Sequence, residues 1–275
     1  MKPSLVALPG GAGRPVAPPA ALPAPDPRAD ADRKPLALRI FRRYARWKVQ
    51  GGLDGLYVEG LDAARAQLAA GPAVLCPTHA SWWDPLVLML LDEAMDGDTR
   101  AFMDSRNLEK LPFFRYIGTI DLDRRSPESA HQDLLRGGAL LHKPRRGLWL
   151  FPQGRHRPPW LRPLGLKPGV ARLAALHPVP ILPMGFQYAF REGERPTCAV
   201  SIGPALDPRA HPGEAALMGA LEAAMAEALE RCDAFLDQRG LPAGWSAVVP
   251  GAGSRADDGL GTRFLRWALG GRRGR

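Results

Sequence analysis

The sequence predicts a layered α/β domain in which helices flank a mostly parallel or mixed β-sheet, and three observations carry that reading. Short, nearly all-apolar runs, of the kind that strands buried on both faces require, alternate with segments of helical spacing. The 275 residues are 45% hydrophobic and 24% charged, enough for one core of ordinary composition. No period of about 20 to 50 residues marks a repeat array.

Taken in order, residues 1–35 hold nine of the 29 prolines among Gly and Ala, with almost no aromatic or β-branched side chains. Such a stretch buries too little surface to offset its ordering entropy and reads as a disordered tail. Over 36–50 the character changes. Leu36, Ile40, Tyr44 and Trp47 recur at helical intervals with Phe41 alongside, and Arg39, Arg42, Arg43 and Arg46 fill the other arc. This is a basic amphipathic helix. It either lies in a membrane interface or packs on the domain with a solvated basic face.

The domain itself is expected over 51–240. Strands are predicted at 74–76, 100–103, 147–151, 180–188 and 198–202, and helices at 61–70, 85–94, 107–116, 128–142, 168–175 and 214–236. The Gly/Pro-containing stretch 241–261 reads as a loop. The segment 263–269 mixes basic and apolar side chains, as a second interfacial patch or a frayed terminal helix, so 241–275 forms a loop and basic C-terminal segment. In open α/β sheets of this kind, sites favour the loops beyond strand C-termini.

Composition excludes several classes. Three scattered cysteines make neither a disulfide framework nor a C-x-x-C metal site, and they suit a reducing compartment. The longest apolar run, 86–91, is far short of the roughly 18 to 20 residues that span a bilayer. No apolar core follows the N-terminus as a secretory leader needs. The net charge of +9 and pI near 10 predict attraction to something anionic: nucleic acid, acidic lipid, a phosphorylated cofactor or an acidic carrier protein.

The chemistry concentrates after the first apolar run, in Pro77-Thr78-His79-Ala80-Ser81-Trp82-Trp83-Asp84-Pro85. A histidine leaves a strand, the chain turns, and an aspartate arrives beside a proline suited to a first helical turn. A carboxylate bonded to one imidazole nitrogen fixes the tautomer and leaves the other nitrogen to accept a proton. By itself the spacing more often marks a satisfied structural histidine. Three further segments supply context: Gly118-Thr119-Ile120-Asp121-Leu122-Asp123-Arg124, Phe151-Pro152-Gln153-Gly154-Arg155, and Val179-Pro180-Ile181-Leu182-Pro183.

In order and spacing, these four blocks resemble those of the glycerolipid acyltransferases, typified by 1-acylglycerol-3-phosphate acyltransferases, across roughly residues 55 to 205. The family pattern is H-x4-D, then G-x-x-[FI]-[IV]-[DN]-R, then F-P-E-G-T-R-S, then V-P-[IV]-[VI]-P. The resemblance implies that His79 is the base and Asp84 its partner, and that Arg124, Gln153, Gly154 and Arg155 meet the acceptor. It also implies a fatty acyl donor on coenzyme A or acyl carrier protein, no further cofactor, a lipid hydroxyl as acceptor, and a cytoplasmic protein peripheral at the inner face of the cell membrane. Backbone N–H groups at the Gly154 turn are candidates for an oxyanion hole.

The third block departs from the pattern. Gln153 replaces the family's Glu, and Arg155, His156 and Arg157 replace Thr-Arg-Ser. Gln hydrogen-bonds but carries no charge, so it either meets a different acceptor or fixes the loop as a structural amide. An F-P-Q-G block is similar to that of the branch acylating sugar hydroxyls of carotenoid glycosides, which makes a glycolipid the alternative acceptor. Plainer readings stand beside each residue: Arg124 and Arg125 as a solvated pair before a helix capped by Ser126, Asp121 and Asp123 as surface charge, and Gly118 and Gly154 as turn residues. The remaining histidines, His131, His142, His156, His177 and His211, share no ligand spacing, and no metal is assigned.

Two other classes are weaker. A hydrolase would need a nucleophile elbow, and there is no G-x-S-x-G. A non-enzymatic basic module binding membrane or nucleic acid lacks any zinc-finger or RNP pattern, so nucleic acid is not an expected partner.

Overall fold

The computed structural model describes residues 33–251. Expectations for 1–32, and for the basic stretch 263–269, lie outside the described residues. Eight strands form one sheet: β1 (Leu56–Glu59), β2 (Ala73–Pro77), β3 (Asp98–Asp104), β4 (Thr119–Leu122), β5 (Arg146–Trp149), β6 (Ile181–Phe190), β7 (Pro196–Ile202) and β8 (Trp245–Val249). The helices are α1 (Pro35–Gly52), α2 (Leu61–Ala70), α3 (Asp84–Ala94), α4 (Ser105–Lys110), α5 (Pro127–Gly138), α6 (Gly169–Leu176) and α7 (Glu214–Asp237).

The strand order is β4-β3-β5-β2-β6-β7-β1-β8. The first five strands in that order pair parallel; β6 with β7 and β1 with β8 pair antiparallel. Alternation along β2 shows how the two cores form. Ala73 and Leu75 join the core under α1, α2 and α3, while Val74 and Cys76 join the one under α5, α6 and α7. Every residue of β2 is buried, as a central parallel strand requires.

Several expectations change at their boundaries. The predicted helix over 107–116 breaks at Leu111, the residue before Pro112, and resumes as a 3₁₀ turn over Pro112–Ile117. The helix predicted to reach 142 stops at Gly138. Phe102 and His177 pack so closely on Gly137 and Gly138 that a Cβ at either would overlap them. Residues 245–249, expected within a loop, form the edge strand β8, bounded by Gly244 and Pro250.

Helix α1 carries two apolar faces. Leu38, Phe41, Ala45 and Val49 are buried against the domain. The stripe that dominates the sequence pattern points outward instead: Leu36 is 61% exposed, Ile40 57% and Trp47 66%. Leu111, Phe113 and Tyr116 are also exposed, on the α4–3₁₀ segment whose 3₁₀ turn packs against α1.

Candidate active site

The site forms at the C-terminal ends of the parallel strands, where β2, β3, β4 and β5 release their loops. Thr78, the first residue past β2, is tied to β6: its N–H donates to Met184 O at 3.0 Å, and its hydroxyl accepts from Phe186 N at 2.8 Å. His79 therefore starts from a fixed point. The chain then turns through Ser81, whose hydroxyl accepts from Trp83 N at 3.2 Å, and enters α3 with Asp84 at its first position.

Asp84 returns to His79. Its Oδ2 lies 2.7 Å from His79 Nδ1 and also accepts from Ala80 N at 2.9 Å and Ser81 N at 3.0 Å. Its Oδ1 accepts from the Tyr188 hydroxyl at 2.7 Å. Asp84 is fully buried, so these four donors replace the water that a carboxylate otherwise needs. With Nδ1–H donating to the carboxylate, Nε2 is the nitrogen left to take a proton. The His79 ring stacks on Phe151 at 4.1 Å between centroids, and the His156 ring lies 3.9 Å away.

Gln153 is 2% exposed and faces the protein rather than the cavity. Its Oε1 accepts from His79 N at 2.6 Å and its Nε2 donates to Leu164 O at 3.3 Å. Of the two roles open to it, these hydrogen bonds are those of a loop-fixing amide. Gly154 lines the cavity. Its backbone is left-handed at φ +66°, and its own N–H donates to Phe151 O at 3.1 Å, which shapes the turn. Its carbonyl accepts from Arg124 Nη1 at 2.6 Å, which joins the second and third blocks.

Arg124 and Arg155 reach the cavity rim; Arg125 turns away to pair with Asp123 at 2.8 Å, and Ser126 caps α5 by accepting from Ser129 N. Asp121 pairs with Arg115. The cavity holds about 490 Å³. Its body is apolar, walled by Phe41 of α1, Leu88 and Met89 of α3, Phe102, Ile117 and Leu150. One end carries His79, Phe151 and His156 beside Arg106, Arg124 and Arg155. Arg106 is bound to Asp104, whose carboxyl is held below the usual range mainly by that hydrogen bond.

Two residues near His79 escaped sequence reasoning. His156 shares no ligand spacing with the other histidines, yet the turn at Gly154 brings its ring to His79, and one ligand atom from each of His79, Asp84 and His156 lies within 4.8 Å of the others. Its position within the third block was the available signal. Desolvation, then the neighbouring His79, pushes the His156 imidazole below its usual value. Tyr188 gives no local signal; only the extent of β6 brings it in.

A family model described as Acyltransferase matches residues 55–187. No curated protein matches the chain. Among solved structures the fold is similar to that of the 1-acyl-sn-glycerophosphate (LPA) acyltransferase PlsC from Thermotoga maritima, with a TM-score of 0.53 and 16% identity, over 72% of this chain and 80% of that chain. The class is thereby defined: the chain carries an acyltransferase domain and is an acyltransferase. Domain match and fold both agree with the glycerolipid acyltransferase family that the four blocks resemble.

Proposed function

We propose that this enzyme moves a fatty acyl group from a thioester, on coenzyme A or acyl carrier protein, to the hydroxyl of a 1-acylglycerol-3-phosphate-like lipid, with His79 as general base. The observation that carries the reading is His79, bonded to the buried Asp84, lining a largely apolar cavity of about 490 Å³. His79 Nε2 takes the hydroxyl proton as the oxygen attacks the thioester carbonyl. Asp84 stabilises the imidazolium, the C–S bond breaks, and the imidazolium returns its proton to the departing sulfur. General-base help of this kind is worth roughly 10² to 10⁴ in rate.

The apolar walls suit an acyl chain, and Arg106, Arg124 and Arg155 at the rim suit a phosphate. Among the described residues no helix is long and apolar enough to cross a membrane. The outer stripe of α1, with Arg39 and Arg43 beside it, suits a peripheral seat on an anionic lipid surface at the inner face of the cell membrane. Phe41 on the inner face of the same helix lines the cavity, so the membrane seat adjoins the acyl site.

Offering labelled acyl-thioester to the purified enzyme with lysophosphatidate, and separately with a glycosylated isoprenoid, tests the acceptor. Label entering the phospholipid supports the proposal; label entering only the glycolipid, or released as free fatty acid without an acceptor, refutes it. Ile40→Asp with Trp47→Asp is expected to weaken sedimentation with anionic vesicles at least about tenfold, given the apolar area removed from the interface.

A further inference from the structure

The structure brings to Asp84 a residue that belongs to none of the four sequence blocks. Three donors crowd Asp84 Oδ2, and the Tyr188 hydroxyl at 2.7 Å meets Oδ1 from 104 residues away. Strand length explains the meeting. The β2–β6 register ends at Pro77 opposite Met184, but β6 continues to Phe190 and carries Tyr188 past the end of β2, beside the turn that holds His79. On its other side β6 pairs with β7, setting Tyr188 opposite Cys198. The Tyr188 hydroxyl extends the line of hydrogen bonds that runs through Asp84 to His79.

We propose that Tyr188 is a positioning residue for acyl transfer: its hydroxyl fixes Asp84 Oδ1 and so aims Oδ2 at His79 Nδ1. This rests on the assignment of His79 as base. Burial, then Cys198 and Asp84, drive the phenol's ionisation well above its ordinary range, so it stays a donor at any pH the enzyme works at. Asp84 from α3 and Cys198 from β7 face it; beyond Asp84 lies His79, and beyond that His156.

The test uses the full chain and steady-state kinetics across pH. Tyr188→Phe keeps the ring but removes the donor. The expected result is a kcat lower by roughly tenfold, the scale of one hydrogen bond to a charged group, with KM within about twofold. Because the carboxylate charge is then concentrated toward His79, the acid limb of kcat/KM moves up by about half a pH unit. Site-specific 3-fluorotyrosine at position 188, a stronger donor of the same shape, moves the limb the other way and keeps kcat near wild type. A residue that only packs leaves both limbs in place, so an unmoved limb in either variant overturns the proposal. Should Tyr188→Phe fail to fold, the fluorotyrosine enzyme decides alone. His79→Ala run in parallel separates the two claims: if it is inactive while Tyr188→Phe behaves as wild type, only the Tyr188 role falls; if it is active, the base assignment falls, and this proposal with it.

Discussion

Two carboxylates organise opposite ends of the sheet, and they are satisfied in opposite ways. Asp84, beyond the C-terminal end of β2, is fully buried and takes its hydrogen bonds from two backbone N–H groups, a phenol and an imidazole. Asp98, at the start of β3, is ringed by cations: Arg33, Arg100 at 2.8 Å, Arg146 at 3.0 Å and Lys143 at 3.4 Å. Neutral donors hold Asp84 in place without cancelling its charge, which stays available to a proton arriving on His79. At Asp98 the charge is used up in joining α1's leading edge, β3 and β5. One arrangement suits a reaction that moves a proton; the other suits a staple.

The contrast sets the expected order of mutational effects. Asp84→Asn should cut turnover by about 10³- to 10⁴-fold, because the imidazole loses the partner that fixes its tautomer. Circular dichroism should show the fold intact, and an unfolded variant would assign Asp84 to the staple class as well. Asp98→Asn should do the reverse. Removing the carboxylate shared by the buried Arg146 and Arg100 should lower unfolding free energy by about 3 kcal/mol in urea titrations, with kcat per folded molecule unchanged. A fall in kcat there would join the two ends functionally.

Gln153→Glu probes the catalytic end more gently. A carboxylate still accepts from His79 N but places an oxygen against Leu164 O, where the amide donates at 3.3 Å. The expected cost is about 1–3 kcal/mol in thermal or urea unfolding, with lower turnover as the His79 loop shifts. Equal stability would mean that this buried loop accepts the family's usual residue unaided.

The smallest effect concerns pH. Burial pushes the His177 imidazole below its usual 6.5. The unfolded chain then binds the proton more readily, so this group's contribution to stability is complete above about pH 6.5 and declines as pH falls below it. His177→Gln should flatten the acid side of the stability-versus-pH curve slightly and leave the neutral side alone; an unchanged slope would remove His177 from that account.

The comparison also bears on what could be read in advance. The central strands were legible because β2, β5 after Arg146, and β6 are apolar along their buried lengths, and their loops carry the motif residues. β8 was not, since only Val249 of its five residues is buried and Gly244 and Pro250 at its ends resemble loop punctuation. On α1, periodicity picked out the largest side chains, which face outward, while a small residue, Ala45, sits on the face that packs. At the site, His79 and Asp84 lie five positions apart and their contact was foreseeable. Tyr188 depends on how far β6 outruns its neighbour, and His156 on a left-handed turn, neither of which local spacing encodes.

The central claim is that one imidazole takes the acceptor's proton, and a single-turnover acyl-transfer assay on His79→Ala addresses it most directly. With the fold verified and acyl-thioester and acceptor both saturating, label transfer should drop by about 10³-fold or more. Transfer within a few-fold of wild type would contradict the account.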